Sequence, residues 1–278
     1  VARNLRQRID SLGIGDKKSL GMNCFAHEGL VRKVIGGHWV WSPRMQQLAR
    51  DEKIAAYILP GGVSSQLLRE IGGGRPGLFT HVGLGTVCDP RHGGGRMNAS
   101  AKDDLAEVVH VDGREYLRYK PYPVNVALVR ASAADEDGNI SFEHEAANLD
   151  AASLALAART SRGKVIVQVR ERLPRGALKA REVRIPAAWV DAIVVDPDQR
   201  TSYDIPFDAT LAGELTGAPL AASNAHAAAQ PEEAFNERQA VARRAACELR
   251  EGAVVNYGVG VPDAVAKLVA RRGELDRI

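Results

Sequence analysis

The apolar residues of the chain follow two alternating patterns from about Val31 onward. Short runs that are apolar on both faces alternate with segments in which apolar residues recur every three or four positions. The first pattern is typical of buried parallel strands and the second of amphipathic helices. Strands are predicted at 31–37, 54–60, 124–131, 164–169 and 189–195, and helices at 42–51, 63–71, 148–161 and 238–250. The alternation predicts an α/β fold with an open, mostly parallel sheet flanked by helices.

An antiparallel appendage is predicted where the pattern changes in the middle of the chain. The segment EVVHVDGREYLRYK (107–120) contains two strand-like runs on either side of Asp112-Gly113. Because an Asp-Gly pair favours the tight turns that join antiparallel strands, this segment is predicted to be a β-hairpin. A polar turn followed by a short strand is predicted over 135–143.

The domain organisation is predicted from a stretch that loses both patterns. Residues 210–237 are rich in alanine, glycine, proline and polar residues and have no sustained apolar period. Such a stretch is typical of a linker, here between a first domain (1–209) and a second (238–278). An irregular excursion within one domain is the alternative interpretation.

The second domain is predicted to open as another α/β unit. After the helix at 238–250, a strand is predicted over Ala253–Tyr257. Gly258 and Gly260 flank a tight turn, and a helix is predicted from Pro262. Strand, glycine turn and helix in this order are the usual beginning of an α/β domain.

Composition and charge narrow the classes of function. The 278 residues are 45% hydrophobic and 26% charged, and the formal net charge is only +3 with acidic and basic residues interspersed. No basic stripe indicates a nucleic-acid partner, and no apolar run reaches the length of a membrane span. Cys24, Cys88 and Cys247 lie far apart in sequence, so reduced thiols in a cytoplasmic protein are expected.

Three glycine-rich segments follow strand-like runs and are the first candidates for a binding site. They cover 13–18, 82–98 and 257–263. Glycine lets backbone N–H groups approach an anion or a thioester oxygen closely, and a helix that follows adds a favourable dipole. None of the three has the full dinucleotide-binding pattern G-x-G-x-x-G. Each alone is explained by a tight turn, but three at strand ends in one α/β chain favour a shared crevice.

Other motifs of catalytic chemistry are incomplete. His27-Glu28 begins an H-E-x-x-H zinc motif, but Val31 stands in place of the second histidine, and no metal site is predicted. The serine-hydrolase pattern G-x-S-x-G is absent from the sequence. Cys88 and His92 are a weak candidate for a nucleophilic pair, because the partners of a catalytic cysteine usually lie far from it in sequence.

Several segments, taken in order, resemble the class I coenzyme A transferases of the acetate/propionate type. They are NCFAHEGLVRKVIGGHW (23–39), the stretch 55–98, VNVALVRASAADEDGNISFEHEA (124–146), VRIPAAWVDAIVV (183–195) and GAVVNYGVGVPDAVA (252–266). The resemblance covers essentially the whole chain. It implies two α/β domains of the sugar-phosphate-isomerase-like type, with the active site between them.

The resemblance also implies a reaction and its substrates. Coenzyme A passes from an acyl-CoA to a short-chain carboxylate by a ping-pong mechanism through a glutamyl-CoA thioester. Coenzyme A and acyl-CoA are substrates, with no permanently bound cofactor, and the full-length protein is expected to form a homo-oligomer. The nucleophilic glutamate is expected beyond Ile278. No catalytic residue is therefore assigned in this chain, which is expected to be incomplete at both ends and inactive alone.

By resemblance, three loops line the crevice between the domains. Their residues are Pro60, Gly61, Gly62, Gly83, Gly85, Thr86, Gly258, Gly260 and Pro262. Gly61 stands where the family usually has a glutamine, whose amide is thought to orient the catalytic glutamyl group. A non-catalytic domain of the same fold that binds a sugar phosphate or an acyl-CoA is the alternative function, and a related isomerase is a third. The ordered transferase segments favour the transferase.

Overall fold

The computed structural model describes residues 9–12 (backbone only), 21–200, 209, 212, 235–258 and 260–277. The predicted α/β class is confirmed, because helices pack against sheets that contain parallel strands. The chain divides into two compact units, Val1–Ala212 and Gly213–Ile278. None of the described helices combines the length and the apolar character that crossing a membrane requires.

A parallel sheet of three strands opens the first unit. Its strands, in spatial order, are β1 (Ile9–Leu12), β2 (Val31–Gly36) and β3 (Ala55–Ile58). The helices α1 (Pro43–Arg50) and α2 (Gly61–Gly72) follow β2 and β3. The helix predicted over 63–71 is confirmed, and Val63, Leu67 and Ile71, which recur every four positions along it, are all buried. Their burial anchors α2 and fixes where it begins relative to β3.

An antiparallel sheet contains the predicted hairpin. Its strands are β4 (Leu78–Thr80), β5 (Ala106–Val111) and β6 (Arg114–Tyr119), with β6 in the centre. Asp112 and Gly113 have φ angles of 49° and 76°. This is the left-handed backbone that a two-residue turn requires at both positions, which explains why an Asp-Gly pair occupies it.

A mixed sheet of five strands completes the first unit. The strands are β7 (Val126–Asp135), β8 (Ile140–Ser141), β9 (Lys164–Leu173), β10 (Val183–Ile185) and β11 (Ala192–Val195). β9 lies between β7 and β11 and pairs with both in parallel, whereas β8 and β10 extend the other edge antiparallel. The helix α3 (Ala151–Thr160) contributes Ala155 and Ala158 to the core beneath β7 and β9.

The two helices α2 and α3 pack closely where Gly72 meets Leu156. A Cβ atom on Gly72 would lie 3.0 Å from Cγ of Leu156, so glycine permits this approach. The Thr160 hydroxyl donates to the Gly72 carbonyl at 2.7 Å, and the Ser65 hydroxyl donates to the Asp150 carboxylate at 2.7 Å. These contacts join the helix that follows the three-stranded sheet to the helix of the five-stranded sheet.

The second unit is described through two helices, α4 (Glu237–Ala246) and α5 (Val261–Arg271). They pack through a small core that includes Ala242, Val265 and Val269. The prediction of a strand over Ala253–Tyr257 is wrong, because this segment has no strand structure. A strand needs a neighbour to share its hydrogen bonds, and among the described residues none pairs with it.

The predicted linker at 210–237 lies almost wholly outside the described residues. The boundaries of the two predicted domains, 1–209 and 238–278, therefore stay a prediction. The glycine-rich segment 13–18 also lies outside the described residues.

Candidate functional site

The first predicted loop lies at the carboxyl end of the parallel sheet. β3 ends at Ile58, and α2 begins at Gly61, with Pro60 as the residue that precedes the helix. The Leu59 amide donates to the Gly36 carbonyl, which joins this loop to the end of β2. Ligands of open α/β sheets bind at this edge, beyond the carboxyl ends of the strands. Pro60, Gly61 and Gly62 therefore lie where a crevice residue should.

The described residues leave open space at the start of α2. Apart from neighbouring residues and the backbone of α2 itself, none of their atoms lies within 4 Å of a Cβ atom placed on Gly61 or on Gly62. No side chain in the described part of the chain caps the helix. Its first N–H groups have no partner within the helix and carry the positive end of the helix dipole. As far as the described residues go, the position where the family usually has a glutamine has space around it and polarised backbone donors beside it.

The second predicted loop, 82–89, is a compact series of turns. Gly83 has φ 103°, and a Cβ atom there would overlap the hydroxyl oxygen of Tyr119, so only glycine fits. The Thr86 hydroxyl donates to the Gly83 carbonyl at 2.8 Å and accepts from the Cys88 amide at 3.2 Å. Thr86 is therefore a turn-closing residue, and its hydroxyl is already used by the loop itself.

An ion pair between a buried carboxylate and a half-exposed arginine, which sequence reasoning missed, holds this loop together. The Asp89 side chain is fully buried and accepts from the Gly85 amide at 2.9 Å and from the Arg91 amide at 3.0 Å. The Arg91 guanidinium bonds both of its oxygens and also reaches the exposed Glu115. These donors, Arg91 foremost, hold the pKa of Asp89 well below its ordinary value. Asp89 before Pro90 is a recognisable helix-capping signal, but its burial has no signature in the sequence.

The two loops meet at Ile58. Its amide donates to the Gly95 carbonyl at 2.7 Å, and its carbonyl lies 3.5 Å from the Cys88 sulfur. Gly95 has φ 77°, and a Cβ atom there would overlap the Ile58 carbonyl oxygen. The glycine-rich segment 82–98 therefore folds back onto the end of β3, beside Leu59. The structure brings together two of the three loops that the resemblance assigned to the crevice, the loop at Pro60–Gly62 and the loop at Gly83–Thr86.

The pair formed by Cys88 and His92 has the wrong environment for a nucleophile. The Cys88 side chain is buried, and burial raises the pKa of its thiol. A raised pKa keeps the sulfur protonated, whereas a nucleophilic cysteine needs the thiolate. Nor does His27-Glu28 form a metal site, since Glu28 pairs with Lys53 at 2.9 Å. Among the described residues, no group of histidine, cysteine and carboxylate side chains is arranged to hold a metal ion.

The third predicted loop lies in the second unit. Gly260 has φ 107° and precedes α5, whose first residues include Pro262. The Gly260 carbonyl accepts from the Asp263 amide at 3.1 Å and from the Arg238 guanidinium. A Cβ atom on Gly258 would lie 3.7 Å from Cγ of Pro262. Gly258, Gly260 and Pro262 thus form the entry to α5, as the sequence predicts, and their place in a crevice stays a prediction.

Comparison with known proteins gives consistent matches. The sequence profile described as Coenzyme A transferase matches residues 6–196. Acetate CoA-transferase YdiF of Escherichia coli (strain K12) is 40% identical over 264 residues, which cover 95% of this chain and 48% of that protein. Caffeate CoA-transferase of Acetobacterium woodii is 41% identical over 268 residues, which cover 95% of this chain and 50% of that protein.

A solved structure agrees with these matches. The crystal structure of acyl-CoA transferase YdiF from E. coli O157:H7, a thioester complex with CoA, has a TM-score of 0.83 and 37% identity to this chain. The match covers 98% of this chain and 54% of that chain. The chain therefore spans about half the length of the curated relatives that it matches. The profile over 6–196 and the identities over nearly the whole chain establish that the chain belongs to the coenzyme A transferase family.

Proposed function

We propose that the protein transfers coenzyme A between an acyl-CoA and a short-chain carboxylate such as acetate or propionate. The observation that carries the proposal is the 40% and 41% identity, over 95% of the chain, to transferases named for acetate and for caffeate. These relatives are named for different acids but for one kind of reaction. The reaction is therefore better supported than the choice of acid.

The proposed mechanism is ping-pong. A glutamate carboxylate attacks the thioester carbonyl of the acyl-CoA and expels the CoA thiolate, which leaves an acyl-glutamyl anhydride. The thiolate then attacks the glutamyl carbonyl, releases the carboxylate product and forms a glutamyl-CoA thioester. A second carboxylate reverses the sequence and leaves with CoA. Two steps through a covalent intermediate replace one difficult direct transfer.

The residues of this chain are proposed to act on the reacting oxygen. The open first turn of α2, at Gly61 and Gly62, offers backbone N–H groups and the positive end of a helix dipole. Such donors stabilise the negative oxygen of each tetrahedral intermediate. We assign the nucleophilic glutamate to the half of the relatives' length that this chain does not match. We also propose a cytoplasmic homo-oligomer without a resident cofactor.

A transferase assay tests the proposal. Propionyl-CoA and acetate are supplied to this chain alone and, separately, to the complete product of its gene, and acetyl-CoA formation is followed by chromatography. We expect parallel double-reciprocal plots for the complete product and no turnover by the chain alone. Borohydride added with the acyl-CoA should inactivate the complete product by reducing its glutamyl-CoA thioester. Binding of acyl-CoA without any transfer would instead support the non-catalytic alternative.

A further inference from the structure

A cavity of about 360 Å³ lies beside the five-stranded sheet, where its three parallel strands end. Asp135 is the last residue of β7, Arg172 is the last but one of β9, and Val195 is the last of β11, and all three line the cavity. Open α/β sheets bind their ligands at the carboxyl ends of their strands, and small-molecule sites have volumes of about 300–1,000 Å³. The cavity therefore has the position and the size of a binding site.

One wall of the cavity is apolar. Strand β11 and the residues just before it form this wall, through Ala187, Val190, Ala192, Ile193 and Val195. The turn that follows β7 packs against it, since a Cβ atom on Gly138 would lie 3.5 Å from Cβ of Ala187 and 3.9 Å from Cδ1 of Ile193. A ligand in the cavity would bury apolar surface against this wall.

The turn after β7 has a fixed shape. Asp135 is 3% exposed, and its carboxylate accepts from the backbone amides of Asp137 at 3.0 Å and Asn139 at 2.8 Å. It also accepts from the side-chain amide of Asn139 at 2.9 Å. The side-chain oxygen of Asn139 accepts in turn from the Ala187 amide at 3.1 Å. These bonds hold in place the backbone of Glu136, which lies within the turn and lines the cavity.

Most of the carboxylates that line the cavity already have partners. Asp135 is bonded within the turn, as described, and Asp137 pairs with Arg175 at 2.8 Å. Asp191 pairs with Lys164, also at 2.8 Å. The negative charges of these three residues are therefore compensated by groups of the protein.

Two opposite charges of the lining have no such partner. Within the described part of the chain, Glu136 has no cationic partner and accepts from the backbone amide of Arg175 at 3.3 Å. The Arg172 guanidinium makes neither a hydrogen bond nor an ion pair with any described residue. The two residues lie close together, because Ala134 of β7 pairs with Arg172 of β9 and Glu136 follows two residues after Ala134. A carboxylate and a guanidinium are thus neighbours in one cavity without being paired to each other.

We propose that the cavity binds a small zwitterion, an α-amino acid with an apolar side chain. The Arg172 guanidinium donates to its carboxylate, for which the planar fork of an arginine is a two-point partner. The ammonium group of the ligand donates to the Glu136 carboxylate, and its side chain packs against the apolar wall. A simple carboxylate would stand beside the like charge of Glu136, and a simple amine would leave Arg172 unpaired. The inference does not rest on the proposed function, since no lining residue belongs to the three loops assigned to the crevice.

Binding of three matched ligands to the complete gene product tests the proposal. L-Leucine carries both charges, 4-methylpentanoate lacks the ammonium group, and 3-methylbutylamine lacks the carboxylate. Isothermal titration calorimetry at neutral pH gives the Kd of each. We expect leucine to bind with a Kd below about 1 mM and each analogue to bind at least about tenfold more weakly, because each loses one hydrogen-bonded charge pair.

Charge variants separate the two polar contacts. Arg172→Gln should weaken leucine binding about tenfold and should not weaken binding of 3-methylbutylamine, which has no carboxylate to lose. Glu136→Gln should weaken leucine binding to a similar extent and should not weaken binding of 4-methylpentanoate. Arg172→Lys keeps the charge without the fork, so its affinity for leucine should lie between those of Arg172→Gln and the wild type. Arg181→Gln is the matched control, because Arg181 is also exposed but does not line the cavity, and it should change the affinity for none of the ligands.

Three results would overturn the proposal. Absence of leucine binding at about 10 mM would mean that Glu136 and Arg172 pair with each other in solution. Equal affinities for leucine and 4-methylpentanoate would make the cavity a site for simple carboxylates. Leucine binding that survives Arg172→Gln unchanged would place the ligand elsewhere on the protein.

Folding and catalysis are controlled separately. Glu136 and Arg172 are exposed, so substitutions there should leave the melting temperature nearly unchanged, and thermal melting of each variant checks this. Arg172→Lys decides the question if Arg172→Gln does not fold. Calorimetry needs no turnover, so a protein that binds leucine through Arg172 but transfers no CoA would overturn the proposed function and support the amino-acid site.

Discussion

Asp89 and Arg91 form a closed pair within the second loop. Nε of Arg91 lies 3.0 Å from Oδ1 of Asp89, and Nη2 lies 2.8 Å from Oδ2. Asp89 is fully buried, whereas Arg91 is half exposed and reaches outward to Glu115. Because Asp89 also binds the Gly85 amide, the pair ties the turn at Gly83–Thr86 to the hairpin. Two-point pairing of this kind fixes geometry as well as charge.

The stability of the protein should depend on pH through Asp89. Its pKa is lowered in the folded state from an ordinary value of 3.8, chiefly by Arg91. A lowered pKa stabilises the fold above the ordinary value, and this stability is lost as the pH falls from there toward the folded pKa. We expect Asp89→Asn to melt at a lower temperature at pH 7. Its melting temperature should then fall less than that of the wild type between about pH 5 and pH 2.

Glu115→Gln is the matched control for Asp89→Asn, because it removes the other carboxylate that contacts Arg91. Glu115 is exposed, so solvent screens its interaction. We expect Glu115→Gln to lower the melting temperature at pH 7 less than Asp89→Asn does. Its melting temperature should depend on pH as that of the wild type does. Identical melting curves for the two variants would contradict the role assigned to Asp89.

Gly95→Ala should destabilise the contact between the second loop and β3. The new Cβ atom would overlap the Ile58 carbonyl oxygen, and the residue would keep a positive φ. We expect the free energy of unfolding to fall by about 3 kcal/mol. Gly85→Ala is the control, since Gly85 also has a positive φ but has open space around it. We expect Gly85→Ala to lower the free energy of unfolding by about 1 kcal/mol. Urea denaturation measures the free energy of unfolding of both variants.

Gly37 and Gly61 are in contact, but replacing one or the other with alanine should change the free energy of unfolding differently. A Cβ atom on Gly37 meets the backbone of Gly61, whereas one on Gly61 meets no described atom within 4 Å outside its neighbouring residues and the backbone of α2. We expect Gly37→Ala to lower the free energy of unfolding by about 1–2 kcal/mol. Gly61→Ala should leave it unchanged or raise it by up to about 1 kcal/mol. Chemical denaturation checks both, and equal losses would mean that the approach of the two loops is not as described.

Gly61→Gln restores the residue that the family usually has at this position. The open space allows the longer side chain, so the variant should fold normally. If the amide assists the glutamyl group, kcat of the complete gene product with propionyl-CoA and acetate should rise about tenfold. An unchanged kcat in a folded variant would show that this protein does not need the glutamine.

The three cysteines should differ in reactivity. Cys24 and Cys247 are exposed, whereas Cys88 is buried and the pKa of its thiol is raised by burial. A disulfide reagent at about pH 8 should therefore label two thiols quickly and the third only on unfolding. Cys88→Ser should retain transferase activity in the complete gene product. Fast labelling of three thiols, or loss of activity in folded Cys88→Ser, would revive the nucleophilic pair with His92.

The parts of the fold that were predicted correctly depend on short-range patterns. The buried face of α2 follows from the spacing of Val63, Leu67 and Ile71, and the hairpin follows from Asp112-Gly113. The short strand β8 lies within 135–143, where a short strand was predicted, whereas β10 was not predicted, because three residues are too few to show a period. They form an antiparallel edge because Ile140 meets Ile185 across the fold. Ala253–Tyr257 shows the opposite case, a strand-like pattern without a described partner.

The candidate site was predicted only in part, because the sequence shows short-range patterns such as turns but not contacts between distant residues. Glycine at positive φ marks loops such as those at Gly83 and Gly85, so the sequence located them. The burial of Asp89 was not predicted, because it depends on the loop folding back onto Ile58. The exposure of Trp41 and the burial of Trp39 are likewise set by which side of the segment faces the core.

The order of residues by itself determined the α/β class, the hairpin and the position of the glycine loops, because neighbours along the chain settle periodicity and turn conformation. Its similarity to other sequences determined the family. Only the tertiary structure decided that the loops at Gly61 and Gly95 meet around Ile58 and that Asp89 is a buried anion. It alone placed Gly37 against Gly61. Those relationships join residues distant in sequence, and their contacts exist only once sheets and helices have packed.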